Sequence, residues 1–282
     1  MSRTVYVNGE YLPEEEGKVS IFDRGFLFAD GVYEVSAVLR GRLVDNKAHL
    51  TRLHRSLGEL NIPQPVSDDD IVAAQTRLVQ ENGLEEGLVY LQITRGPADR
   101  DFAFPVRPAP TLVMFTQKHT LIESPLARRG IRVAIVEDLR WKRRDIKTVG
   151  LLPASMAKQA ALDAGADDAW MVEDGYVTEG TSNNAFIVTD DGVIRTRQLS
   201  NLILHGITRA AILTLAEQEA ISVREGAFTP EEAYGAKEAF ITSATAFALP
   251  VVQIDQHPIG DGKPGPVVQR LRGLYIEAAL RD

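Results

Sequence analysis

Along the first third of the chain the spacing of hydrophobic positions changes several times, and each change predicts an element. Thr4-Val5-Tyr6-Val7 and Glu10-Tyr11-Leu12 flank Asn8-Gly9, a dipeptide suited to the tight turn of a β-hairpin. Val32 to Leu39 reads as a strand that ends at an Arg40-Gly41-Arg42 turn into Leu43-Val44. Leu50, Leu53, Leu57 and Leu60 then recur at helical spacing, so Asn46 to Leu60 is expected to form an amphipathic helix. His49 and Arg52 lie a turn apart on another of its faces. Ser67 before Asp68-Asp69-Asp70 is an N-cap with acids in the first turn, opening a second helix that runs to Asn82-Gly83. Leu88 to Thr94 and Thr111 to Phe115 read as strands. Between them runs a long loop, Arg95 to Pro105, containing Arg100, Phe102 and Phe104. Long loops in compact domains are usually functional or disordered, and the aromatics and arginines favour function here.

After Gln117-Lys118-His119-Thr120 the pattern changes, which places a domain boundary near residue 120. Residues 1–120 are expected to form a small N-terminal α/β domain, and 121–282 a larger C-terminal one. In the second part, strands are expected at Ile131 to Val136, Asp168 to Val172, Ala185 to Val188 and Phe240 to Ala246. An alanine-rich helix is expected from Ser155 to Ala166, with Lys158 on its surface. Another opens at His205-Gly206-Ile207-Thr208-Arg209 and runs to about Glu219, and Pro264 to Arg281 holds the closing helix. Glu179 falls in a glycine- and polar-rich segment read as a loop, and Ser243 and Ala244 in the small-residue end of the Phe240 strand, which flows into a loop.

Composition narrows the function classes. A net charge of −8 argues against nucleic-acid binding and a polybasic membrane anchor. No apolar run approaches the roughly 18 residues of a membrane helix, and the N-terminus lacks the apolar core of a signal peptide. The absence of cysteine excludes disulfides, thiolate metal sites and cysteine nucleophiles, and it fits a cytoplasmic protein; no metal is expected.

Candidate chemistry centres on Trp141 to Leu152, where a run of charge ends on Lys147 and the chain turns apolar. In an extended segment Asp145 and Lys147 would share one face. A lysine is a nucleophile only in its uncharged form, which burial or a second cation promotes. Gly206-Ile207-Thr208 stands at a helix start, where free N–H groups and the dipole attract phosphate. Thr242-Ser243-Ala244-Thr245 offers hydroxyls and a backbone that closes around a ligand, and Arg52 offers a charged clamp. A reactive lysine, an acid (Glu179) and an anion cup together suggest pyridoxal 5′-phosphate. That cofactor needs a lysine to carry it, a partner for its ring nitrogen and a seat for its phosphate.

Six segments occur in an order and spacing similar to class IV aminotransferases, the fold-type-IV pyridoxal-phosphate enzymes. They are Asp23-Arg24-Gly25, Asp30-Gly31-Val32-Tyr33-Glu34, His49-Leu50-Thr51-Arg52-Leu53, Asp145-Ile146-Lys147, Thr178 to Asn184, and Gly206-Ile207-Thr208-Arg209. The resemblance covers essentially the whole chain and is strongest to the bacterial D-amino acid branch. It implies two α/β domains with the cofactor between them, in a homodimer. It also implies that Lys147 carries the cofactor and shuttles the substrate proton, that Glu179 pairs with the ring nitrogen, and that Arg52, Ile207 and Thr208 hold the phosphate. Tyr33 would sit beside the substrate. Arg100 would bind the substrate carboxylate from a loop lent by the neighbouring subunit.

Two departures stand out. Phe102 occupies the position of a family histidine that also serves the carboxylate, and Ala244 replaces a threonine of the phosphate cup, leaving its N–H and the hydroxyl of Ser243 or Thr245. The expected activity is therefore transfer of an amino group between D-amino acids and 2-oxo acids such as pyruvate or 2-oxoglutarate. The apolar Phe102 extends that to (R)-primary amines, which lack a carboxylate. A branched-chain L-amino acid aminotransferase and an aminodeoxychorismate lyase are the alternatives on the same fold. A binding protein without chemistry is the alternative outside it.

Overall fold

Asn8 and Gly9 both take positive φ (48° and 100°), so the chain reverses between β1 (Thr4–Val7) and β2 (Glu10–Pro13), which pair antiparallel. In the computed structural model residues 2–281 are described, and the chain divides into two compact units. The first runs up to Thr120 and regains Ile146–Gly150; the second comprises Leu121–Asp145 and the chain from Leu151 onward.

In the first unit follow α1 (Arg24–Phe28), β3 (Gly31–Leu39), β4 (Arg42–Leu43), α2 (Asn46–Glu59), α3 (Asp68–Glu81), β5 (Glu86–Thr94) and β6 (Thr111–Lys118). They form one antiparallel sheet in the order β2-β1-β6-β5-β3-β4. One face buries Val32, Leu91, Ile93, Leu112 and Met114 against Leu50, Leu53 and Leu57 of α2 and Ile71, Ala74 and Leu78 of α3. The two helices thus spend their apolar stripes on the same face. On the other face Tyr33, Tyr90 and Phe115 stack across three strands, with ring centroids 5.5 and 4.8 Å apart.

The second unit holds α4 (Pro125–Arg129), β7 (Ile131–Glu137), α5 (Leu152–Asp163), β8 (Asp168–Glu173), β9 (Tyr176–Gly180), β10 (Asn184–Val188) and β11 (Ile194–Thr196). After them come α6 (Ile207–Gln218), β12 (Val223–Glu225), α7 (Pro230–Tyr234), β13 (Glu238–Ser243), β14 (Phe247–Ile254), β15 (His257–Pro258) and α8 (Pro266–Arg281). The sheet order is β12-β11-β10-β13-β14-β7-β8-β9, with β15 on β14. β7 pairs parallel with β8 and β14, and α5 makes the crossover from β7 to β8. Trp170, Phe228, Ile187, Ile241 and Val251 centre its core.

Three expectations are corrected. The alanine-rich helix begins at Leu152 rather than Ser155, because Pro153 in the first turn gives up only an N–H that has no helical partner there. Glu179 lies in strand β9, not in a loop: β8 turns back at Asp174 (φ 53°) and Gly175 (φ 80°). The strand expected to Ala246 stops at Ser243, and the chain reverses at Phe247 (φ 58°) into β14.

Candidate active site

The candidate residues fall into both units. In the first, β4 pairs only with the far end of β3, at Val38 and Leu39, so the near end of β3 presents an unpaired edge. The segment Ile146–Gly150 takes that edge. Val32 bridges Thr148, the Tyr33 N–H donates to the Lys147 carbonyl (3.0 Å) and the Val149 N–H to the Gly31 carbonyl (3.1 Å). Ile146 is buried in the core beneath, and the Lys147 N–H donates to Ser56 Oγ of α2 at 3.3 Å. Lys147 is thereby fixed by its own backbone. Its Nζ stands 4.1 Å from the centroid of the Tyr33 ring, and among the described residues no carboxylate of its unit pairs with it. The extended run expected through Asp145 and Lys147 is interrupted: the chain turns at Arg144-Asp145, and the buried Asp145 pairs with Arg143 at 3.1 Å.

Arg52 and His49 of α2 are both buried and meet on one acid, Glu34 of β3. Arg52 donates from Nε to Oε1 and from Nη2 to Oε2, each at 2.8 Å, and His49 Nδ1 lies 2.8 Å from Oε2. Burial works to raise the Glu34 carboxyl, but the Arg52 guanidinium and then His49 pull it down to about 2. The forked ion pair holds the Arg52 guanidinium in one orientation, as a phosphate clamp requires. Glu34 had no role in the sequence reading. An acid at a position that alternation assigns to the core face of β3 is the signal that could have found it.

Arg100 and Phe102 are exposed on the loop between β5 and β6. The loop is tied down at its root. Asp30 Oδ2 accepts from Arg24 Nε and Arg95 Nε, both at 2.7 Å, and Arg24 Nη1 donates to the Asp101 carbonyl at 2.6 Å. Phe104 packs 3.7 Å from the Arg95 guanidinium, and Phe102 meets Phe28 edge-on at 5.6 Å. Arg100 lies over the rings of Phe28 and Phe102, at 5.5 and 5.8 Å.

In the second unit Glu179 is buried in β9. Its Oε1 accepts from Arg140 Nη1 at 2.6 Å; its Oε2 accepts from Asn184 Nδ2 at 2.9 Å and from the Leu204 N–H at 3.0 Å. Burial, the largest influence, pushes its carboxyl above the usual range, against the pull of Arg140 and the Leu204 N–H. Asn184 also donates to the Leu204 carbonyl, and a Cβ at Gly206 would come within 2.1 Å of Asn184 Oδ1, so any side chain there would displace Asn184. Gly206 is the N-cap of α6. Among the described residues no side chain caps that end, which leaves the first N–H groups, at Ile207 and Thr208, to another acceptor. At the end of β13 Ser243 and Ala244 are half-buried; Ser243 Oγ accepts from the Ala246 N–H at 3.1 Å, and the buried Thr242 Oγ1 has no partner among the described residues. An uncapped helix start, an orphaned hydroxyl and a buried acid with a guanidinium form a donor set that fits a phosphorylated, ring-nitrogen cofactor.

The class IV amino-transferase family model matches residues 31–254. The chain is 37% identical to the D-alanine aminotransferase of Staphylococcus aureus (strain MSSA476), over 97% of this chain and 98% of that protein. It is 38% identical to the D-alanine aminotransferase of Bacillus licheniformis, over 99% and 98% respectively. Among solved structures it is similar to the T.th. branched-chain amino acid aminotransferase with pyridoxamine 5′-phosphate, with a TM-score of 0.91, 28% identity, and 99% and 94% of the two chains covered. A family match over most of the chain and relatives aligned nearly end to end agree: the chain belongs to the class IV aminotransferases.

Proposed function

We propose that the protein is a pyridoxal-phosphate-dependent D-amino acid transaminase that moves an amino group between D-amino acids and 2-oxo acids. The observation that carries this reading is the near end-to-end similarity to two proteins named D-alanine aminotransferase. Bound pyridoxal phosphate supplies the electron sink that makes the Cα–H bond of an amino acid labile. Arg52, the N–H groups of Ile207 and Thr208, and the Ser243-Ala244 turn hold its phosphate. Glu179 keeps a proton on its ring nitrogen: a buried carboxylate whose charge is opposed by burial gains from a second cationic neighbour. Lys147 Nζ carries the cofactor between turnovers and moves the substrate Cα proton. Tyr33 orients Lys147 across its ring face, and Arg100 binds the substrate carboxylate in a homodimer whose loops are shared. Phe102 forms an apolar wall that leaves no histidine unpaired when the substrate lacks a carboxylate, so (R)-primary amines are accepted as donors. The absence of cysteine fits a cytoplasmic setting, and among the described residues no helix is long and apolar enough to cross a membrane.

The test is the visible absorption of the purified, cofactor-loaded protein mixed in turn with D-alanine, L-leucine and (R)-1-phenylethylamine. The bound-cofactor band should be lost with D-alanine and with the amine, and should persist with L-leucine. The similarity to a branched-chain amino acid aminotransferase structure gives the opposite result its meaning. Loss with L-leucine but not D-alanine overturns the D-amino acid reading in favour of that group.

A further inference from the structure

Arg140 belongs to none of the segments that carry the family resemblance, yet among the described residues it supplies the one charged donor to Glu179. Its Nη1 donates to Glu179 Oε1 at 2.6 Å, while its Nε and Nη2 chelate Asp138 at 2.9 and 2.7 Å. One guanidinium therefore serves two carboxylates. Asp138 has further partners: Thr178 Oγ1 donates to it at 2.6 Å, and Arg144 Nη1 stands 3.5 Å away while bonded to Glu173 at 2.9 Å. Arg197, half-buried nearby, is lowered by burial against the pull of Glu173 and Asp138. The remaining donors to Glu179, Asn184 Nδ2 and the Leu204 N–H, are neutral. The side chains of Glu179 and Arg140 are only 4% and 14% exposed, so water does little to screen the pair or replace it.

We propose that Arg140 is a positioning residue that keeps Glu179 ionised, and that Asp138, competing for the same guanidinium, sets how firmly it does so. Through Glu179 the Arg140–Asp138 pair governs whether the cofactor's ring nitrogen holds its proton. The inference rests on the assignment of Glu179 to that nitrogen. The chemistry follows from burial: a desolvated carboxylate stripped of its counter-charge takes up a proton rather than remain an ion. A neutral Glu179 gives a ring nitrogen no reason to stay cationic, and an unprotonated ring is the weaker acceptor of carbanion charge.

The experiment reads the ring nitrogen directly. Protein loaded with pyridoxal phosphate labelled with 15N in the ring is examined by 15N NMR across the pH range in which it is folded, for the native chain, Arg140→Gln, Arg140→Lys and Glu179→Gln. Arg140→Gln keeps hydrogen-bond donors but loses the charge; its nitrogen signal is expected at the unprotonated position, with kcat for D-alanine down at least about tenfold and KM within about a factor of two. Arg140→Lys keeps the charge and should retain the protonated signal. A folded, cofactor-bearing Arg140→Gln with the native signal overturns the inference. If Glu179→Gln also leaves the signal native, the assignment of Glu179 falls with it; if Glu179→Gln moves the signal and Arg140→Gln does not, only the role of Arg140 falls. Should Arg140→Gln not fold, Asp138→Asn takes its place. Freeing Arg140 from its second carboxylate should raise the pH at which the nitrogen loses its proton, and an unchanged or lowered pH overturns the inference.

Discussion

Glu34 lies between His49 and Arg52 with 2% of its surface exposed, and its carboxyl is drawn from 4.5 down to about 2. Because the folded value lies below the unfolded one, its contribution is complete above about pH 4.5 and is lost as the pH falls toward 2. The difference corresponds to roughly 3 kcal/mol. Glu34→Gln leaves the buried Arg52 without its counter-charge and should cost about 3 to 5 kcal/mol at neutral pH. Acid unfolding followed by circular dichroism checks both: the variant should be less stable at pH 7, and its stability should vary less than the native chain's between about pH 4.5 and 2. An equally steep acid limb would show that Glu34 is not the titrating group. The partners of this ion pair are 15 and 18 positions apart in sequence. Periodicity along α2 places His49 and Arg52 together but says nothing of what β3 sets opposite them. The leucine stripe was legible because it repeats within one helix; the acid beneath the arginine was not, because the pairing is long-range.

At the scale of elements the loop between β5 and β6 shows the same division. Its length and its arginines and aromatics mark it as functional from sequence, but its anchorage is tertiary: Asp30, at the entry to β3, holds Arg24 and Arg95 on a single oxygen. Asp30→Asn removes the charge shared by two arginines that are each 2% exposed. The loop should then loosen at its root. Trypsin is expected to cut after the exposed Arg100 about tenfold faster than in the native chain, in step with a more populated open state. The KM for D-alanine should rise while the affinity for pyridoxal phosphate holds, since Arg52, Glu179 and α6 are untouched. Unchanged proteolysis would mean that Phe102 and Phe104 anchor the loop without the ions. The return of Ile146–Gly150 to the first unit was equally hidden. The apolar turn after Lys147 was visible, but the edge of β3 that receives it is exposed only because β4 is two residues long.

For the whole molecule, the apolar surface around that loop leads to a prediction about assembly. Val106, Phe102, Phe26, Ile21, Phe104 and Phe22 are 97, 80, 73, 71, 58 and 53% exposed, and the two stretches that bear them are joined by the Asp23–Pro97 bridge and by the Ala98 N–H donating to the Phe22 carbonyl. Burying each such side chain is worth about 1.5 to 3 kcal/mol, and monomeric proteins rarely leave a patch of this kind in water. A second copy of the chain is the expected cover, giving a mass near twice 31.0 kDa by light scattering, and Phe26→Asp with Val106→Asp should return it to the monomer. The dimer has a functional consequence if Arg100 serves the substrate of its neighbour. Lys147→Ala and Arg100→Ala should each be nearly inactive on D-alanine as pure proteins. In a mixed dimer, the Lys147→Ala subunit still lends its Arg100 to the site of the Arg100→Ala subunit, whose Lys147 is intact. After subunit exchange at equal concentrations half the dimers are mixed and half of their sites are complete, so activity should recover to about a quarter of the native level. No recovery, with exchange verified by differently tagged subunits, would place Arg100 in its own subunit's site and leave the exposed phenylalanines to assembly alone.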